Sequence, residues 1–121
     1  MSSSTDPTTA VYGFTVLAHI YVSPEKSDAF LDAFQKCFDN ITQNPLCQLF
    51  QVYRSLDVPG KFTLTEDWNG TPYDLFEVEH KKPYFLEYIA VTEPMWTEPR
   101  EVYTIERARP TLTFSKIPVS V

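Results

Sequence analysis

Residues 57–68 read DVPGKFTLTEDW, and this stretch decides how the rest of the chain can fold. Residues 57–60 have the composition of a reverse turn, with proline and glycine together. In residues 61–68 apolar and polar side chains alternate, as they do in a strand with one buried face. Residues 46–54 also favour a strand, so the two runs predict an antiparallel hairpin. One face of the returning strand then carries Phe62, Leu64, Glu66 and Trp68.

A strand and a long helix are predicted before this hairpin. Residues 11–22 alternate, and one face of the strand presents Phe14, Val16, Ala18 and Ile20. Ser23 and Pro24 have the pattern of a helix start, with serine as the N-cap. Apolar residues then recur at helical spacing through residues 24–43. This stripe consists of Phe30, Leu31, Phe34, Cys37, Phe38 and Ile41.

A second helical region and a last strand are predicted after the hairpin. Residues 72–82 favour a helix whose inward stripe is Tyr73, Phe76 and His80. Pro83 interrupts it, because proline lacks the amide hydrogen that a helix interior requires. A further helical segment at residues 84–91 leads to a strand at residues 101–109.

The order of these elements predicts an α+β fold of the ferredoxin-like βαββαβ type, with a four-stranded antiparallel sheet. We expect a disordered leader at residues 1–10, a single domain at residues 11–109, and a β-prone C-terminal arm at residues 110–121 that can contact a partner subunit. Helices cover only one face of such a sheet. Leu17 and Tyr21 lie on the other face and need a cover, which predicts a homodimer.

Composition excludes several functions for a chain of 121 residues. Ten basic against sixteen acidic residues give a net charge of −6, which argues against nucleic acid and anionic membranes as partners. No apolar run reaches the roughly 20 residues of a membrane helix, and the N-terminus has no signal-peptide pattern. We therefore expect a cytoplasmic protein. Cys37 and Cys47 lack metal-ligand spacing, so no metal site is expected and both are interpreted as buried small apolar residues.

The hairpin and the helix after it resemble a known family. The sequence E-x-W ends the returning strand at Glu66 and Trp68, and His80 follows twelve residues later, ahead of Pro83, Tyr84 and Phe85. This pattern resembles the antibiotic biosynthesis monooxygenases, a family of dimeric α+β barrel proteins, and looks like its small fungal members from polyketide and other secondary-metabolite pathways. The resemblance covers residues 13–107.

The resemblance implies a homodimeric α/β barrel with an apolar pocket between sheet and helices. It also implies that a phenolic or anthrone-type substrate reacts there with molecular oxygen without a bound cofactor. On this interpretation His80 is a general acid/base, Glu66 orients His80 or a substrate hydroxyl, and Trp68 forms a flat wall. The other expected substrate-binding residues are Tyr73, Phe76, Tyr84, Trp96 and Arg100.

Each of these residues also has a purely structural interpretation. A carboxylate on an apolar face must be paired, hydrogen-bonded or protonated, and Arg100, Arg107 and His80 are candidate partners of Glu66. The aromatic residues can be core, His80 can be a satisfied core histidine, and Arg100 can form an exposed ion pair. His19 is expected at the dimer interface.

Two positions depart from the family pattern. Ala18 stands where haem-degrading members have asparagine, which argues against haem degradation. Leu64 stands where some anthrone oxygenases have asparagine. Two alternatives therefore stay open: a cofactor-free cyclase, isomerase or dehydratase on the same scaffold, and a non-catalytic dimer that binds an apolar metabolite. A pocket of about 300 Å³ or more that both Glu66 and His80 face would favour an enzyme.

Overall fold

A four-stranded antiparallel sheet with helices on one face forms the computed structural model, which describes residues 13–116. The strands are β1 (Phe14–Tyr21), β2 (Cys47–Arg54), β3 (Lys61–Trp68) and β4 (Glu101–Ile105), in the order β2-β3-β1-β4. The helices are α1 (Ser27–Ile41) and α2 (Pro83–Thr92). Shorter helical turns lie at Pro24–Lys26, Asp74–Val78, Glu79–Lys81 and Glu93–Met95. This arrangement confirms the predicted ferredoxin-like α+β fold.

The hairpin forms as predicted, and β3 has the predicted bounds. β1 lies between β3 and β4, with Phe14 opposite Trp68 at one end of the sheet. Gly60 closes the turn with φ +82°, and a Cβ there would lie 2.1 Å from the carbonyl oxygen of Val22. Only glycine combines that backbone conformation with so close an approach.

The predicted apolar stripe of α1 is confirmed as the main contact between helix and sheet. Phe30, Phe34, Cys37 and Ile41 are all buried. The ring of Phe30 stacks on that of Phe62 in β3, with 5.0 Å between centroids. The side chain of Ser23 makes no capping hydrogen bond; the backbone instead forms a 3₁₀ turn before α1 begins. Cys37 and Cys47 form no disulfide.

In the second helical region, the side chains that face the core differ from those predicted. Tyr73 is 65% exposed, whereas Leu75 and Glu79 are 1% and 2% exposed. Asp74–Val78 forms a π-helical turn, whose hydrogen bonds span five residues rather than four. The inward stripe predicted for residues 72–82 was therefore wrong at Tyr73, because a wider turn rotates different side chains towards the core.

The last strand is shorter than the predicted residues 101–109. β4 ends at Ile105, and the Arg107 guanidinium lies 3.0 Å from the carboxylate of Asp67 on β3. Residues 110–116 form no strand, and Leu112 and Phe114 are 73% and 81% exposed. The predicted leader at residues 1–10 and the end of the arm lie outside the described residues. Within residues 13–116, no helix is both long and apolar enough to span a membrane.

Candidate active site

Glu66 is a buried carboxyl group on the helix-facing side of β3. Its side chain is 5% exposed, and the indole Nε1 of Trp68 donates a hydrogen bond to its Oε1 at 2.9 Å. Burial raises the pKa of Glu66 to about 7, although the indole hydrogen bond and the charge of Arg100 act in the opposite direction. The carboxyl group can therefore gain or lose a proton near neutral pH.

Trp68 itself is part of the core and supports Glu66 from behind. It is 2% exposed and packs with Phe14, Val16, Ile41 and Leu75. Trp68 lines neither of the two spaces described below. The predicted role as a wall for a stacked substrate does not match this position, and the indole instead fixes the orientation of the carboxyl group.

A small cavity of about 30 Å³ lies between the sheet and the helices, with Glu66 on its wall. Ala18 and Leu64, the two positions that depart from the family pattern, also line it. One water molecule requires about 10–15 Å³ measured in this way, so the cavity suits one or two molecules of that size. An aromatic substrate does not fit, because Phe34, Phe50 and Tyr88 fill the space that the expected pocket would occupy.

A larger groove of about 440 Å³ lies outside this cavity along α2. Four residues line both spaces: Phe76, His80, Phe85 and Arg100. They form the boundary between the cavity and the groove. His80 therefore faces a space large enough for a tricyclic ligand, whereas Glu66 faces only the small cavity behind it. The single pocket of about 300 Å³ or more that both residues would face in an enzyme is thus not found among the described spaces.

His80 is held between aromatic rings at this boundary. Its ring stacks on Phe85 with 3.8 Å between centroids, and Phe76 meets it edge-on at 5.3 Å. None of the described residues makes a hydrogen bond to the His80 side chain. Burial, and secondly the charge of Arg100, lower the pKa of His80 to about 4. The imidazole is thus neutral at pH 7, where it can donate or accept a hydrogen bond but is a weak base.

Arg100 lies beside His80 just before β4. Its Cζ atom is 6.0 Å from the centroid of Phe85 and 5.9 Å from that of Trp96. The ion pair that the sequence favoured for Arg100 is absent within the described part of the chain. The indole Nε1 of Trp96 is buried without a hydrogen-bond partner, and Trp96 lines neither space.

Glu79 is another buried carboxyl group, besides Glu66 and Asp67, and the sequence interpretation missed it. It accepts hydrogen bonds from Asn44 and Tyr84 and pairs with Lys82 at 2.8 Å. Burial acts to raise its pKa, but these three partners outweigh that effect and the pKa is lowered. Tyr84 is thereby committed to Glu79 and lies outside the groove. The apolar periodicity gave no signal for Glu79, because a buried acid is outside that pattern and its partner Asn44 comes from a separate segment.

The structure thus brings together four of the eight predicted site residues: Glu66, Phe76, His80 and Arg100. Trp68 supports this group, whereas Tyr73, Tyr84 and Trp96 lie outside both spaces. Phe85 was quoted for the resemblance but was not proposed as a site residue, although it contacts both His80 and Arg100. Among residues 13–116, no cluster of three or more histidine, cysteine or acidic residues could hold a metal ion.

Comparison with known proteins identifies the family. The family model described as antibiotic biosynthesis monooxygenase matches residues 13–70. A protein of Pestalotiopsis microspora with the provisional name monooxygenase GME11364 is 31% identical over 93 residues, which cover 77% of this chain and 78% of that protein. The chain belongs to the antibiotic biosynthesis monooxygenase family.

Solved structures of antibiotic biosynthesis monooxygenases share its fold. A Caulobacter crescentus protein provisionally assigned to this family superposes with a TM-score of 0.72 at 20% identity, covering 81% of this chain and 94% of its own. A conserved protein of Methanosarcina mazei gives the same TM-score and identity, with 79% and 93% covered. At this level of identity the likeness supports the fold alone.

We expect the raised pKa of Glu66 to make stability depend on pH. Between its ordinary value of 4.5 and the folded value of about 7, the folded state binds more protons at Glu66 than the unfolded state does. Stability must therefore fall as pH rises through this window, by about 3 kcal/mol for this group. Glu66→Gln removes that loss while keeping an acceptor for Trp68. Urea unfolding of both proteins from pH 4.5 to 8 measures it.

The measured quantity is the difference in unfolding free energy between the wild type and Glu66→Gln at each pH. Taking the difference cancels His80, whose lowered pKa makes stability rise with pH, because both proteins contain it. Glu77→Gln, at an exposed position, is the control and should show no such trend. A difference that does not change with pH would contradict a raised pKa at Glu66.

Proposed function

We propose that this protein is a cofactor-independent monooxygenase that oxidises a reduced aromatic compound, such as an anthrone-type or phenolic polyketide intermediate of secondary metabolism. The proposal depends on one observation: Glu66 lies in a small cavity that shares His80, Phe85 and Arg100 with an apolar groove. Membership of the monooxygenase family supports oxygenation as the reaction. We expect the ring to occupy the groove and its reacting carbon to lie at the boundary.

Glu66 is the better proton acceptor of the two predicted catalytic residues. A general base works best when its pKa lies near the operating pH, and the pKa of Glu66 is about 7 whereas that of His80 is about 4. We therefore assign proton abstraction to Glu66. The neutral imidazole of His80 donates a hydrogen bond to a substrate oxygen, which stabilises the negative charge that forms when the proton leaves.

The proposed oxidation balances without a further reductant. Loss of a proton from a ring methylene gives a carbanion, which passes one electron to dioxygen. The substrate radical and superoxide combine to a peroxide, which takes up a proton. Loss of water from the peroxide leaves a carbonyl, so that CH₂ and O₂ give C=O and H₂O. The methylene supplies all four electrons, and a cavity of about 30 Å³ is large enough for dioxygen.

A homodimer is part of this proposal, and members of this family are typically dimers. The helix-free face of the sheet carries Leu17, and Tyr103 and Ile105 on β4 are each 48% exposed. Leu112 and Phe114 follow on the exposed arm, which can reach the partner subunit. Burial of this apolar surface favours association. The location in the cytoplasm stays a prediction from the sequence.

A second reaction class uses the same residues. Ala18 and Leu64 give the cavity two apolar walls where some relatives have an asparagine donor. Glu66 is the one carboxyl group among the residues that line the cavity. Proton transfer by Glu66 alone would serve a cyclisation, isomerisation or dehydration, and a protein that only binds its metabolite would use neither step. Oxygen uptake separates these possibilities from a monooxygenase.

Oxygen consumption is the direct test of the proposed reaction. With anthrone as substrate, we expect one molecule of dioxygen to be consumed for each molecule converted to quinone, because the methylene provides all the electrons. A Clark electrode and absorbance of the quinone measure the two quantities. Protein inactivated by heat is the control for spontaneous oxidation. Conversion of a substrate without oxygen uptake would instead support the cyclase or isomerase alternative, and binding without conversion would support the binding protein.

The pH profile tests the assignment of the base. We expect kcat/KM to rise with pH and to level off above about pH 7, because Glu66 acts in its ionised form. Glu66→Gln should lose at least about 10²-fold in rate, the lower end for a general base. His80→Gln should keep the pH profile and lose less, since glutamine still forms hydrogen bonds.

Glu77→Gln, at an exposed position, is the matched carboxyl control and should retain the wild-type rate. If His80→Gln abolishes the rise with pH while Glu66→Gln retains it, the base is His80 and the assignment to Glu66 is wrong.

The oligomeric state is tested at Leu17. We expect sedimentation equilibrium to show a dimer at micromolar concentration and Leu17→Glu to weaken dimerisation at least about 100-fold, because a charge would be buried against an apolar partner. Val78→Glu places the same charge at a position that is 46% exposed on the helical side and should remain a dimer. A wild-type protein that is monomeric under these conditions contradicts the proposed homodimer.

A further inference from the structure

Arg100 carries a charge that no described carboxylate contacts directly, in a chain that is rich in acids; Glu66 senses this charge only at a distance. Sixteen acidic residues are present, yet within residues 13–116 neither a hydrogen bond nor an ion pair engages the guanidinium. By contrast, Lys82 and Arg107 each contact a carboxylate. Arg100 is half-buried and lines both the cavity and the groove. Since a guanidinium stays charged at any ordinary pH, this charge is available to a ligand.

Two aromatic rings hold the guanidinium in position. Phe85 and Trp96 each lie within about 6 Å of its Cζ atom, a distance at which a ring face attracts a cation. Neither contact is a hydrogen bond, so the N–H donors of the guanidinium are not used by these rings. The planar group can therefore offer two parallel hydrogen bonds to a pair of carboxylate oxygens, or one to a phenolate oxygen.

The rest of the groove is apolar with an excess of positive charge. Lys81 and Arg100 are its cations, and Glu93 is its one acidic lining residue. His80 adds no charge at pH 7, because burial and the charge of Arg100 lower its pKa to about 4. The remaining lining residues are Phe76, Phe85, Leu86, Ile89 and Ala90. This combination matches a flat hydrophobic ligand with one negatively charged oxygen group.

We propose that the groove selects aromatic oxyanions, with Arg100 pairing to a carboxylate or an ionised phenol on a ring that packs against Phe85, Leu86 and Ile89. This inference rests on the proposed function for the identity of the site. It narrows the substrate class from reduced aromatic compounds in general to those that bind as anions. It also gives Arg100 a role in specificity that is separate from the proton transfer at Glu66.

The test compares two probes that differ in charge and little in shape, 2-naphthoate and 2-naphthamide. Isothermal titration calorimetry under nitrogen measures binding without turnover. The wild type should bind naphthoate at least about tenfold more tightly than naphthamide, as expected for a charge-assisted pair. Arg100→Gln should reduce the affinity for naphthoate to that for naphthamide and change the affinity for naphthamide less than about twofold.

A second probe distinguishes the two kinds of oxyanion. Ionisation of 4-nitro-1-naphthol changes its absorbance, so the pKa of the bound phenol can be read directly. Pairing with Arg100 should lower that pKa in the wild type and not in Arg100→Gln. A response to naphthoate alone indicates a carboxylate ligand, and a response to the naphthol alone indicates a phenolate ligand. Either result supports the proposal.

Two further variants keep the test decisive. Lys36→Gln removes one positive charge at a separate groove between α1 and α2 and should retain the preference for naphthoate. Arg100→Lys keeps the charge if Arg100→Gln does not fold, and should weaken naphthoate binding severalfold because the planar fork is lost. Equal binding of both naphthalene probes by the wild type, failure of all three probes to bind, or unchanged naphthoate affinity in both Arg100 variants would contradict the proposal.

These binding results are independent of oxygenase activity. If naphthoate is preferred and no oxygen is consumed with anthrone, the anion site stands and the proposed reaction fails. If oxygen is consumed and the preference is absent, the reaction stands and the substrate is neutral.

Discussion

The two-residue period of β3 constrains everything on the helical side of the sheet. Because alternate side chains of a strand point to opposite faces, the turn that fixes the start of β3 also places Glu66 and Trp68 together inside the core. The indole then provides the hydrogen bond that a buried carboxyl group requires. A shift of β3 by one residue would turn Glu66 and Trp68 to the opposite face of the sheet and bring Asp67 to the helical side.

Burial acts in opposite directions on the two titratable groups at the site. It raises the pKa of Glu66 and lowers that of His80, since a nonpolar environment disfavours the charged form of each. Both groups are therefore uncharged or partly uncharged near pH 7, and Arg100 is left as the permanent charge facing the cavity. The charge of Arg100 also lowers the pKa of Glu66, against the larger effect of burial. The pKa therefore stays at about 7 and does not rise further.

The sequence predicted the elements that depend on regular period. β3 and the stripe of α1 were predicted correctly, because each buries one face of a long regular element. In residues 72–82 the prediction was wrong at Tyr73 and missed Glu79, which lies inward beside Asn44 and Tyr84 after a π-helical turn. Asn44 comes from another segment and Tyr84 lies beyond Pro83, so the pattern of a single regular helix does not contain them. The same network removed Tyr84 from the expected site.

The grouping at the site was predictable only in part. Glu66 and His80 were found from their place on apolar faces and from the family resemblance. The contact of Arg100 with Phe85 and Trp96 joins α2 to the non-periodic segment before β4, so only the folded structure shows it. That Arg100 lacks an ion pair can likewise be seen only when all contacts of the described residues are known.

The site is divided into a groove and a small cavity, and the two spaces suit reactants of different size. A tricyclic ring exceeds the cavity of about 30 Å³ and fits the groove of about 440 Å³. Dioxygen fits the cavity, whose wall includes Glu66. His80 and Phe85, stacked at 3.8 Å, separate the two spaces. In the proposed reaction, a substrate carbon held at this stack would meet a proton acceptor and dioxygen from the same side, and Arg100 would pair with the charged group of the ring. The proposed function therefore assigns binding of the ring to the groove side of this stack and access of dioxygen to its cavity side.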